Sequence, residues 1–350
     1  MGIARYTVRR LLQAVPVLLG VATITFFLSN AIPGDPVSIM LGPSPSAQQV
    51  EAIRAKFGLD QPLWVRYVNY LADVSPVWVW PQAQPPFFRV QTGVDLGTSL
   101  YYRAPVTQKI LERLPVTLLL LVSSFTFALL TSIPLGVLSA ARRNEPTDHV
   151  SRVVSLIGVS TPSFWIGLLL IIVFSNWLGY LPSTNLVMPW ADPSSVSNAN
   201  DRLGVLWQTV RHLAMPTVSL GTLQMAAAMR IERSSMLENL SEDYVRLARA
   251  YGVEERTILR KHAFRPAQLP VITILGLNLT QALGGAVLTE TVFSINGMGL
   301  LILQAVLNQD YPLIMGTTLF FALVFVIGVI ITDISYAYID PRVSYGEERV

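Results

Sequence analysis

The chain has 350 residues, of which 52% are hydrophobic and only 13% charged; soluble domains carry roughly 25% charged residues, so much of this surface does not face water. Cysteine is absent, and His149, His212 and His262 lack ligand spacing, which rules out disulfides and thiolate chemistry and argues against a histidine metal centre. The formal charge of +3 is small, and in a membrane protein a basic excess reflects orientation, not nucleic-acid binding.

A spanning helix needs about 20 mostly apolar residues. Six stretches qualify: Leu11–Ile32, Val116–Ala141, Val153–Leu178, Leu213–Met229, Pro270–Leu288 and Ile314–Ile331. The fold class expected is an all-α membrane protein with six transmembrane helices. The first stretch has a competing reading as a signal peptide, with Arg5, Arg9 and Arg10 before it and Ser29-Asn30-Ala31 as a small-residue cleavage site. Its length exceeds the 7–15 residues of a signal core and favours an uncleaved span. Either way the N-terminus is cytoplasmic, and six spans then make the C-terminus cytoplasmic too. Sixteen of the 25 lysines and arginines fall in the segments that this topology puts inside, as the positive-inside rule requires.

After the first span, residues 33–113 form a long extracytoplasmic insertion. Ser46 and Gln49 read as a capping box that opens a short helix, closed by Gly58. Asp60 and Pro62 can start another, with Leu63, Tyr67 and Leu71 on one face. Residues 75–92 are rich in proline and aromatics and predict an irregular loop near the membrane interface. The fourth stretch is the weakest, being short and containing Pro216, Gly221 and Gln224. Residues 183–211 before it predict a second outside loop. Pro134, Pro162 and Pro216 each allow a bend.

The fifth span contains Asn278, Thr280, Gln281, Gly284 and Gly285, with Glu290 at its outer end. Polar groups at membrane depth normally face protein or a water-filled cavity. Asn278, Gln281 and Gly285 share one helix face and form the candidate pathway lining; plain helix packing is the alternative for each alone. Glu290 reads more naturally as a helix cap or salt-bridge partner than as a proton relay.

Between the fourth and fifth spans lies a cytoplasmic loop, residues 231–266. Ser241 is a good N-cap, with Glu242 and Asp243 in the favoured first turn. Tyr244, Leu247, Ala248 and Tyr251 share one face. Gly252 is a natural stop, since it enters left-handed backbone freely. A second, basic helical run follows over Glu254–Phe264. Such a loop either lies on anionic membrane lipid or docks in a partner's groove.

The run Asp243-Tyr244-Val245-Arg246-x-Ala248-Arg249-Ala250-x-Gly252 resembles the EAA-type loop of binding-protein-dependent ABC importer permeases, in the dipeptide/oligopeptide/nickel branch. So do Arg260-Lys261-His262-Ala263, Leu269-Pro270, Pro33-Gly34-Asp35-Pro36 and Phe57-Gly58-Leu59-Asp60-Gln61-Pro62. Asp95-Leu96-Gly97-Thr98-Ser99, Glu290-Thr291-Val292-Phe293-Ser294, Gly297-Met298-Gly299 and Asp340-Pro341-Arg342 extend the likeness over nearly the whole chain. Asn296 and Pro266 depart from the pattern, and the loops near 75–92 and 186–205 look long. The resemblance implies a type I importer (MetI-like) bundle over 113–340, preceded by an N-terminal helix and extracytoplasmic segment over 1–112. It implies a heterodimer with a second homologous permease subunit, separate ABC ATPase subunits, an extracytoplasmic solute-binding protein and a prokaryotic inner membrane. It further implies that Ala248 and Gly252 sit at the ATPase docking turn, flanked by Tyr244, Leu247 and Arg249.

No G-x-x-x-x-G-K-[ST] loop surrounds Lys56, Lys109 or Lys261, so the chain lacks a phosphate cradle of its own. No cofactor is called for, and no catalytic constellation stands out. The expected function is a permease for peptides or related small solutes. An ion-gradient-driven secondary transporter is the alternative, which would want ionised residues in mid-span.

Overall fold

A computed structural model of the chain describes residues 3–31, 41, 46–56, 59–81 and 88–339. The chain order is α1 (Ile3–Ala31), α2 (Ala47–Lys56), α3 (Leu63–Val74), β1 (Val77–Pro81), β2 (Phe88–Thr92), α4 (Val106–Ala141), α5 (Pro146–Ser160) and α6 (Ser163–Leu170). It continues with α7 (Arg202–Ser241), α8 (Asp243–Ala250), α9 (Phe264–Val292), α10 (Met298–Leu307) and α11 (Tyr311–Ile339). Five of the six apolar stretches fall within single helices, Ile32 lying outside the described residues, and Val153–Leu178 is helical except at Thr161, Pro162 and Leu178.

Among the described residues, Arg9–Ala31, Val106–Ala141 and Tyr311–Ile330 are long and apolar enough to cross a membrane, and α5 with the segment Ser163–Trp177 makes a fourth candidate bent by 105°. The break is at Thr161-Pro162. The residue before proline is driven from helical backbone, and Thr161 is extended, with φ −100° and ψ 124°. The predicted span Val153–Leu178 is therefore sharply broken at Pro162, where the sequence allowed a bend, and it finishes in a π-helical turn over Ile171–Trp177. Many large apolar side chains of α1, including Leu12, Ile24 and Leu28, are exposed. Such a surface suits hydrocarbon rather than water.

Two expectations need correction. Val77–Pro81 and Phe88–Thr92 pair as antiparallel strands, with Val77 opposite Thr92 and Pro81 opposite Phe88, while 82–87 lie outside the described residues; the Val-Trp-Val-Trp run has strand propensity that outweighs the neighbouring prolines. Among the described residues the regular structure is thus helical apart from this strand pair and an isolated bridge between Thr98 and Pro105. The second loop is also shorter than predicted, because α7 begins at Arg202, where Asp201 accepts a bond from Gly204 N–H at 2.7 Å. In the first insertion the capping box forms as read: Gln49 Oε1 accepts from Ser46 N–H at 3.0 Å, and Ser46 Oγ accepts from Gln49 N–H at 3.3 Å. Gly58, Pro33–Pro36 and Asp340–Arg342 lie outside the described residues.

The chain divides into two compact units. One is built on Val8–Leu114 with Leu301–Val326. There Phe26 of α1 stacks on Tyr70 of α3 with centroids 5.5 Å apart. Asp310 accepts from Ser99 Oγ, from Tyr101 N–H at 3.1 Å, and from Leu313 N–H at 3.2 Å. One buried carboxylate thus caps α11 and fastens the Asp95–Ser99 segment to it.

The other unit is built on Pro115–Leu300. Its centre is the pair α7 and α9, with α4, α5 and α6 packed around α7. Lipid tails are as apolar as these helices, so close approach and polar contacts must hold them together. Gly158 of α5 lies where an added Cβ would be 2.7 Å from Ala226 Cβ of α7. Ser155 Oγ donates to Ala226 O at 3.1 Å, and Ser219 Oγ donates to Ser163 O at 2.7 Å. Gly221 faces α4, and a Cβ there would stand 2.8 Å from Ser124 O. Replacing Gly221 with leucine is expected to force α4 and α7 apart and cost about 1–3 kcal/mol, read as a lower unfolding temperature in detergent; an unchanged temperature would show that the contact is slack.

Candidate functional site

The loop after α7 builds one candidate element. Ser241 does not cap α8, contrary to the reading of the sequence. It ends α7, with its hydroxyl donating back to Glu238 O at 2.7 Å, and Glu242 takes the extended N-cap backbone with Asp243 in the first turn. Val245 is fully buried and anchors the helix, whereas Tyr244, Leu247 and Tyr251 are 42%, 57% and 80% exposed. An apolar face on a short helix is thereby left uncovered by the chain's own fold. Ala248 is half-buried beside it.

Gly252 closes the helix in left-handed backbone, with φ +78°. Its N–H donates to Arg249 O at 3.0 Å, and Val253 N–H donates to Ala248 O at 3.1 Å. These paired bonds satisfy carbonyls that a helix end leaves open. Arg249 donates to both Glu255 oxygens, at 2.7 and 3.1 Å, and chiefly through those bonds it lowers the Glu255 pKa. A depressed carboxyl pKa stabilises above the unfolded value and loses that contribution as pH falls through the folded one. Both groups are exposed, so the pair is worth at most about 1 kcal/mol. The predicted basic helix over Glu254–Phe264 is a single turn, Glu255–Thr257, then a π-helical stretch, Ile258–Ala263, running directly into α9. Pro266 lies inside the first turn of α9, just after that π-helical stretch.

The second element is a cavity of about 300 Å³ between α6, α7 and α9. Ser163, Leu220, Leu223, Gln224, Ala227, Asn278 and Ala282 line it. Asn278 is midway along α9, so one predicted lining residue does face open space. Gln281 and Gly285 belong to the same helix, but their side chains lie outside the described residues. Gln224 went unread as a lining residue; a lone carboxamide before Met225-Ala226-Ala227-Ala228 in an otherwise apolar run was the available signal.

Glu290 is completely buried. Thr117 Oγ1 donates to it at 2.6 Å and Leu300 N–H at 3.0 Å, while Met298 N–H donates to Thr117 Oγ1 at 2.8 Å. The capping reading is the one realised: this carboxylate holds the N-terminal turn of α10 against α4 and α9. Gly297 lies close against it: a Cβ there would fall within 2.6 Å of three Glu290 carboxyl atoms, so a side chain at 297 would require the carboxylate to shift. No group of three or more His, Cys, Asp or Glu suited to a metal occurs among the described residues.

Comparison with known proteins gives these elements a context. Residues 132–345 match the model of the binding-protein-dependent transport system inner membrane component, and residues 3–120 match its N-terminal model. The oligopeptide transport system permease protein AppB of Bacillus subtilis is 38% identical, covering 98% of this chain and 100% of its own. The probable D,D-dipeptide transport system permease protein DdpB of Escherichia coli is 37% identical, covering 94% of each. A chain of the MetNI methionine ABC transporter, solved in inward-facing conformations, aligns with a TM-score of 0.50 at 18% identity. That alignment covers 67% of this chain and 97% of the other, and it shows the fold. The chain belongs to the family of binding-protein-dependent transport system inner membrane components, the permease subunits of ABC importers.

Proposed function

We propose that this chain is one of two homologous permease subunits in an ATP-driven importer of peptides or related small solutes. The observation that carries the solute class is its near end-to-end similarity to permeases named for oligopeptide and D,D-dipeptide transport. In this reading α1, α4, the bent α5–α6 pair, α7, α9 and α11 are the six spans, in a prokaryotic inner membrane, with both termini cytoplasmic. The excess of arginine around α8 supports that orientation. An extracytoplasmic solute-binding protein delivers the cargo. ATP is hydrolysed by separate ATPase subunits, and α8 is the part that they grip.

Tyr244, Leu247 and Tyr251 supply the apolar anchor that a helix offers to a groove. Ala248 and Gly252 keep the approach close, and Arg249 is held in place by Glu255. Asn278 lines the path, with Gln281 and Gly285 on the same helical stripe.

The complete transporter, reconstituted with the products of neighbouring reading frames, is expected to import a short peptide when ATP is trapped on the ATPase side. The import should persist when an uncoupler collapses ion gradients. Uptake that needs no ATP and stops with the uncoupler would overturn this reading in favour of a secondary transporter.

A further inference from the structure

We infer that the cavity between α6, α7 and α9 is a solute subsite for a neutral amide group, in which Gln224 and Asn278 read one peptide unit of the passing cargo. The inference rests on the proposed transport of peptides and adds a recognition role that the pathway reading does not contain.

Three observations carry it. Gln224 is 97% buried in relative terms, exposing only 3% of its surface, yet its Oε1 has no hydrogen-bond partner among the described residues. Buried polar atoms are nearly always paired, so an unpaired one calls for a partner that is present only at times. Gln224 and Asn278 line the same space from facing helices, with Ser163 as a third neutral polar side chain. Finally, the lining residues among those described include no ionised group; the rest are Leu220, Leu223, Ala227 and Ala282.

The chemistry of the fit follows. A carboxamide offers an acceptor oxygen and a donor nitrogen. A peptide unit offers the complementary N–H and C=O. An apolar wall with no counter-charge disfavours a terminal ammonium or carboxylate, so the site suits the middle of a peptide and tolerates any side chain that can fold away from it. A volume of about 300 Å³ is at the small end for ligand sites. It holds one segment of cargo at a time, as a path that must release its solute requires.

The test uses the absence of native cysteine. Ala227→Cys is introduced into the complete reconstituted transporter, and its reaction with a hydrophilic maleimide is followed with and without trialanine during turnover. The thiol is expected to react, and trialanine to slow it. Adding Gln224→Leu should abolish that protection and lower trialanine import by about tenfold, the effect of one hydrogen bond lost. Binding-protein-stimulated ATP hydrolysis should stay within a factor of about two, since coupling does not run through this bond; Gln224→Asn should recover part of the import. A thiol inert in both states overturns the proposal. So does protection that survives Gln224→Leu, which would mean that water alone pairs the carboxamide, and so does protection by glucose equal to that by trialanine. Trialanine import by the unsubstituted transporter is the control that separates the two readings. Its absence defeats the peptide assignment and the subsite with it, whereas intact import with an unaltered Gln224→Leu profile defeats the subsite alone.

Discussion

A Gly252→Val chain is expected to keep its fold and lose its coupling. Gly252 sits at φ +78°, and an added Cβ would meet nothing within 4 Å. The cost of a side chain is therefore one of backbone conformation, not of collision. Left-handed backbone costs an ordinary residue roughly 1–2 kcal/mol, and a β-branched residue more. The turn can escape that cost only by giving up the bonds from Gly252 N–H to Arg249 and from Val253 N–H to Ala248. Either way the end of α8 moves, and with it the exposed face of Tyr244, Leu247 and Tyr251. Binding-protein-stimulated ATP hydrolysis and solute import should both fall by about tenfold or more, while the unfolding temperature drops little, because the strain is confined to an exposed turn. Gly252→Asn, which tolerates left-handed backbone, should retain most of the activity. Full stimulation in a folded Gly252→Val transporter would remove the docking role from this turn.

What could be read in advance divides along a physical line. Hydropathy located the three helices that are long and apolar enough to cross a membrane among the described residues, and the bent pair, since burial in lipid demands a run of about 20 residues whatever surrounds it. It did not find where helices end. Predicted Leu213–Met229 lies inside Arg202–Ser241, because the flanking turns are amphipathic and hydropathy does not register them. Gly252 was legible, since a helix stop in left-handed backbone has one favoured residue. Ser241 misled for a related reason: a serine before two acids suits a helix start, yet it also fits the last turn of α7, and Glu242 took the break. The strand Val77–Pro81 hid between prolines, Pro76 preceding it and Pro81 ending it. Asn278 stood out as a polar residue in an apolar run, but Gln224, which lines the same cavity, is on another helix. Pairings such as Thr117 with Glu290, 173 residues apart, or Arg233 with Asp148, 85 apart, leave no trace in one sequence, because side-chain complementarity has no period.

That last pair gives the largest expected loss of stability. Asp148, in the first turn of α5, is fully buried. It accepts from Arg233 Nε at 2.6 Å and from a terminal guanidinium nitrogen at 2.9 Å. It also accepts from Ser139 Oγ at 2.7 Å and Asn144 N–H at 2.9 Å. One carboxylate thus fastens α4, the following turn, α5 and α7 near the point where α7 leads into α8. Asp148→Ala removes all four acceptor contacts and strands a largely buried guanidinium, which is 20% exposed. Breaking one side of such a pair costs about 3–5 kcal/mol, and the effect should appear as a marked fall in unfolding temperature and in yield of the inserted chain. Asp148→Asn should fare almost as badly, because its amide nitrogen meets the donors of Asn144 and Arg233. Removing both charges, as in Asp148→Ala with Arg233→Met, should be milder than Asp148→Ala alone, since the charge that remains beside the site, on Arg152, is exposed to solvent and no largely buried guanidinium is stranded. If the double variant is instead the worse by the sum of its parts, the two side chains act independently, and the pin across α4, α5 and α7 is not what holds the approach to α8 in register.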